Sequence, residues 1–145
     1  MIEVSFPGGV AVEARLDGFV VRTDQPASSG GGGTAPSPFD LFLVSIAACA
    51  GYFALRFCRE RGLSTRGLHA ALETERDDAH HRVARIRIAI DLPEGFPEKY
   101  RAALLRSVHQ CSVKRHLEEP PLFELSARAP AGPSAVEHEL ALSTV

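Results

Sequence analysis

Residues 38–56, Pro-Phe-Asp-Leu-Phe-Leu-Val-Ser-Ile-Ala-Ala-Cys-Ala-Gly-Tyr-Phe-Ala-Leu-Arg, form an almost unbroken apolar run that directly follows a glycine-rich stretch. A segment this apolar must be covered by other parts of a fold or by a partner. Only residues 41–55 lie between Asp40 and Arg56. That is short of the ~20 residues a membrane-spanning helix needs, so a buried core helix is expected. Its start is well marked. Ser37 suits the N-cap, Pro38 the first helical position, and Asp40 completes a capping-box pattern. Gly62 should end it, with Arg56, Arg59 and Arg61 set against the negative end of the helix dipole. Covering a helix of this length, roughly 36 Å, is difficult for 145 residues alone, so dimerisation around it is expected.

The flanking sequence supplies strands. Ile2–Phe6 and Val10–Leu16 alternate, Asp17-Gly18 is a hairpin signal, and Phe19–Thr23 follows as a third strand. Asp24 to Thr34, rich in Pro, Ser and Gly, is expected to be a mobile loop. It lacks the Lys of a phosphate-binding loop. Leu68–Asp77 and Arg82–Leu92 read as a hairpin, with Ala84, Ile86, Ile88, Ile90 and Leu92 on one face and Arg85, Arg87 and Asp91 on the other. Glu98 to about Leu117 reads as one helix on the spacing of Tyr100, Leu104, Val108 and Cys111. Pro120-Pro121 stops it before a last strand over 122–128. The order predicts an α+β fold, with antiparallel sheets around two central helices. One domain over residues 1–128 is expected, followed by a tail, 129–145, whose structure the pattern does not specify.

Composition narrows the function classes. With 16 Lys+Arg against 18 Asp+Glu and no basic block, nothing points to nucleic acid. The opening residues Met1–Phe6 show no secretory pattern, and three cysteines do not make a disulfide framework, so a cytoplasmic protein with free thiols is expected. There is no His-x-x-x-His or Cys-x-x-Cys, so no metal site or cofactor is expected.

The thiols are the remaining chemistry. Cys49 and Cys58 lie nine residues apart on one helix, roughly 13 Å along its axis, and cannot bridge. Cys49 and Cys111, on different helices, can meet. Either reading of that pair is open, because free cysteine often serves as a small buried hydrophobe. Cys49 is the twelfth residue of its helix, beyond reach of the dipole at that helix's own N-terminus. A thiolate there needs a neighbouring arginine or hydrogen-bond donor.

The glycine-rich loop, then Pro36-Ser37-Pro38-Phe39-Asp40-Leu41 and Ser45-Ile46-Ala47-Ala48-Cys49, resembles the first motif of the OsmC/Ohr family of osmotically inducible and organic-hydroperoxide-resistance proteins. Gln110-Cys111-Ser112-Val113 resembles its second cysteine motif, and the similarity covers about residues 2–128. The resemblance implies an intertwined homodimer with thiol sites at the subunit interface. It makes Cys49 the peroxidatic and Cys111 the resolving thiol, acting on an organic hydroperoxide and restored by a dithiol, often lipoyl-linked. Phe39, Phe42, Ile46, Tyr52 and Phe53 would wall the pocket. Peroxidase members place a carboxylate ten residues before the first cysteine. Phe39 stands there in this chain, with Asp40 the nearest acid and helix capping its expected role. The arginine that holds the thiolate in those members has Arg15 and Arg22 as candidates by location, with Arg85 or Arg87 as further ones. The rival readings are a binding module for a small apolar ligand and a thiol redox sensor without turnover.

Overall fold

The computed structural model describes residues 1–128 and the backbone of His138–Leu140. Its elements run β1 (Ile2–Gly8), β2 (Ala11–Leu16), β3 (Phe19–Thr23), α1 (Pro38–Glu60), β4 (His69–Asp77), β5 (Arg82–Asp91), α2 (Arg101–His109), α3 (Ser112–Glu118), β6 (Leu125–Ala127) and β7 (His138–Leu140). All strand pairs are antiparallel: β1-β2-β3, β4-β5 and β6-β7. The architecture is α+β, as the element order predicts. The tail expected over 129–145 lies outside the described residues except for β7, which pairs with β6.

Local chemistry explains the start and end of α1. The Ser37 hydroxyl accepts from the Asp40 amide at 3.2 Å, and the Asp40 carboxylate accepts from the Ser37 amide at 2.9 Å. This is a reciprocal capping box, with Pro38 at the first helical position. Two residues past the helix, Gly62 takes φ +63°, the left-handed conformation that stops helices. The β2–β3 turn also follows the sequence: Asp17 and Gly18 both have positive φ, the requirement of a tight hairpin.

One compact core is built on α1. Phe57, Cys58 and Leu104 are buried together, and Leu63, Leu68, Ile90, Leu92, Phe96, Tyr100 and Val108 pack around them. Ile46, Ala50 and Ala54 continue the buried stripe. Gly51 brings α1 close to β4, where an added Cβ would meet that of Ala70 at 3.6 Å. By length and apolarity α1 could cross a membrane. Within this fold its inner face is instead taken up by α2, β4 and β5. The first sheet makes no comparable contact with the helices, and Phe6 and Phe19 remain 78% and 73% exposed.

Three expectations need correction. The stretch 24–34 is not a featureless loop, because Asp24, 4% exposed, organises it. The Asp24 carboxylate accepts from the amides of Gln25, Gly32 and Thr34 and from the Thr34 hydroxyl, at 2.8–3.1 Å. Gly31 is required there, since a Cβ would lie 1.8 Å from the Gln25 carbonyl oxygen. Second, the helix expected over 98–117 is divided. A single 3-10 turn at Glu98–Tyr100 leads into α2, and the chain turns extended at Cys111 (φ −50°, ψ 119°) before α3 begins. Third, the outer end of β5 is out of step with simple alternation. A bulge between Glu75 and Arg76 puts Val83, rather than Ala84, on the face of Ile86, Ile88 and Ile90, with Arg76 directly opposite Val83.

Candidate functional site

The break between α2 and α3 creates the site. Cys111 is the N-cap of α3, with its sulfur accepting from the Lys114 amide at 3.5 Å. The first amides of a helix have no partner within the helix and carry its positive end. Here two of them, on Ser112 and Val113, lie close enough to the sulfur of Cys49 to lower its pKa. The Cys111 thiol lies beside that same sulfur and favours its charged form. What the start of its own helix is too distant to offer Cys49, the start of α3 provides. The contact is secured by packing of α1 on α2, including a 3.4 Å hydrogen bond from the Ser107 hydroxyl to the Phe53 carbonyl.

This arrangement makes the two thiols unequal. Burial pushes the Cys49 thiol up, but hydrogen bonds from the Cys111 thiol and the Val113 and Ser112 amides outweigh it, leaving the pKa below the ordinary thiol value. Cys111 shifts the other way. Burial raises it first, then its hydrogen bond and charge interaction with Cys49, against opposing amides of Lys114 and Val113. Cys49 is therefore the more acidic thiol of the pair and Cys111 the one that holds its proton more firmly. All three cysteines are free. Cys58 is fully buried in the core, and burial drives its pKa up despite nearby Arg61.

The supporting residues named from sequence divide sharply. Asp40 spends its carboxylate on the helix cap, where the Ser37 hydroxyl and amide hold its pKa down. Arg15 and Arg22 both pair with Glu13 on the first sheet, Arg22 at 3.2 Å. Arg85 and Arg87 pair with Glu75. All four arginines are thus engaged by Glu13 or Glu75. Phe39 and Phe42 line a cleft of about 530 Å³ with Arg76, His81, Arg82, Val83 and Ile86. Ile46 is buried beneath the helix face, while Tyr52 points outward and stacks edge-on with Phe53. The amides of Ser112 and Val113 escape sequence reasoning because cysteine is not among the strong N-cap residues that would mark a helix start.

A family model for OsmC-like proteins matches residues 30–126. The chain belongs to the OsmC-like protein family. No curated protein matches it significantly in sequence. Among solved structures, it is similar to a Psychrobacter arcticus protein described as an osmotic stress induced and detoxification response protein. That likeness has 24% identity and a TM-score of 0.68, covering 79% of this chain and 85% of that one. It is also similar to an organic hydroperoxide resistance protein OsmC from Legionella pneumophila, at 20% identity and a TM-score of 0.55, over 81% and 87% of the two chains. At these identities the structural likeness establishes the OsmC-like fold, while the family assignment rests on the match across 30–126.

Proposed function

We propose that this OsmC-like protein is a thiol-dependent reductase of organic hydroperoxides, with Cys49 as the attacking thiol and Cys111 as the resolving one. The observation that carries the reading is that packing of α1 on α3 brings Cys49 to Cys111, the buried N-cap of α3, with Cys49 the more acidic of the two. A thiolate is the nucleophilic form, and a poised second thiol keeps its oxidation product reversible. The Cys49 thiolate attacks one peroxide oxygen, the O–O bond breaks, and the alkoxide leaves. The Cys111 proton passes to that alkoxide, giving an alcohol, a Cys49 sulfenic acid and a Cys111 thiolate. The Cys111 thiolate then attacks the Cys49 sulfur, forming the S–S bond and releasing hydroxide, which takes a proton to become water. An external dithiol supplies the two electrons that restore both thiols.

The working unit of this proposal is a homodimer in the cytoplasm. Exposed apolar residues on both the first sheet and α1, among them Phe6, Phe19, Val44 and Tyr52, support a second copy as cover.

The test is a thiol count on reduced protein before and after one equivalent of cumene hydroperoxide, with peptide mapping. Loss of two thiols per chain to a Cys49–Cys111 disulfide, reversed by dihydrolipoamide over repeated cycles, is expected. Three unchanged thiols would overturn the proposal. Oxidation without repeated turnover would identify a sensor instead.

A further inference from the structure

Resting on that reading, we propose that the cleft beside the start of α1 receives the apolar chain of an amphipathic hydroperoxide, and that Arg76 binds a negatively charged group at the chain's far end. The register of the β4–β5 hairpin builds this site. Along the α1-facing side, Ala70 pairs with Ile90, Leu72 with Ile88, Thr74 with Ile86 and Arg76 with Val83. The row is apolar or small until its last pair, where the bulge keeps Val83 facing inward and sets an arginine beside it. Phe39 and Phe42 form the opposite wall. A volume of about 530 Å³ is suited to a small-molecule ligand.

Charge selects the occupant. Among the described residues the lining contains Arg76, His81 and Arg82 and no carboxylate. Arg82 already meets Asp77 at 3.4 Å, and His80 holds the same carboxylate. Arg76 has the weaker partnership, with Asp78 at 3.6 Å, whose side chain is 91% exposed. An exchange of that solvated contact for a ligand carboxylate therefore costs little. The position relative to the thiol also fits. Phe42 precedes Cys49 by seven residues, two turns, so both share a helix face and lie about 10 Å apart along the axis. A chain reaching from Arg76 past Phe42 would present its peroxide toward Cys49.

The experiment compares kcat/KM for 13-hydroperoxyoctadecadienoic acid and its methyl ester in the wild type, Arg76→Gln and Arg76→Lys. Laurate and dodecanol titrations by calorimetry accompany the kinetics. An acid-over-ester preference of about fivefold is expected in the wild type, lost in Arg76→Gln and partly kept in Arg76→Lys. Equal rates for acid and ester, or a preference unaffected by Arg76→Gln, would overturn the assignment. Should no hydroperoxide be turned over, the peroxidase reading fails and calorimetry alone decides the cleft. Laurate binding that exceeds dodecanol binding and disappears in Arg76→Gln upholds the anionic site. No laurate binding overturns it, as when a second copy fills the cleft.

Discussion

Cys49 and Cys58 occupy the same helix, nine residues apart, yet their surroundings give them opposite chemistry. Cys58 is sealed among Phe57, Leu104 and their neighbours, so its charged form is suppressed. Cys49 is also partly desolvated, but three hydrogen-bond donors from around the α2–α3 break more than offset that penalty. Burial alone makes a cysteine inert. Burial combined with donors prepares a thiolate.

The largest expected effect separates the two by substitution. Cys49→Ser should abolish hydroperoxide turnover, a loss of about a thousandfold or more, while Cys58→Ser should retain most of it; steady-state kinetics with cumene hydroperoxide measures both. Equal loss in the two variants would break the comparison. Stability should reverse the ranking. Cys58→Ser buries a hydroxyl in an apolar cluster and should cost about 1–3 kcal/mol in urea unfolding, more than Cys49→Ser.

The pH dependence sharpens the contrast. In iodoacetamide alkylation, Cys49 should reach half its maximal rate below the ordinary thiol range, because its folded pKa is lowered. Cys58 should stay unreactive until pH values above that range or until unfolding. Linkage gives opposite signs. A lowered Cys49 pKa favours the folded state at pH above the unfolded thiol pKa, and this contribution is lost as pH falls through the folded value. A raised Cys58 pKa leaves the folded state progressively less favoured as pH rises past the unfolded value. Cys111→Ala removes one of the three donors and should slow Cys49 alkylation at neutral pH several-fold, leaving Cys58 unchanged.

The smallest effect concerns the cap at the other end of α1. Ser37→Ala should lower stability by about 1 kcal/mol without altering the pH profile of Cys49 alkylation. A shifted profile would mean that the cap also positions the thiol.

Which of these features were readable in advance follows from how local they are. Ser37, Pro38, Asp40 and Gly62 bound α1 within one turn of each end, and Asp17-Gly18 fixes its hairpin with two dihedral angles. The ordered 24–34 loop was missed because Asp24 gathers donors from as far as ten residues away. Ala84 was placed on the apolar face, where Val83 stands, because one bulged residue reverses the alternation of everything beyond it. The continuous helix over 98–117 was expected because apolar spacing runs straight through Cys111, whereas the backbone turns there.

The amino-acid sequence by itself determined the order of strands and helices, the cap of α1 and the presence of two cysteine motifs in a family-typical order. Those depend on contacts between near neighbours in the chain. Tertiary structure decided that Cys49 meets Cys111, that α3 aims its first amides at that sulfur, and that Arg76 ends an otherwise apolar row. Each outcome depends on segments up to 62 residues apart being held in register by packing, and short-range propensity carries no information about such distances.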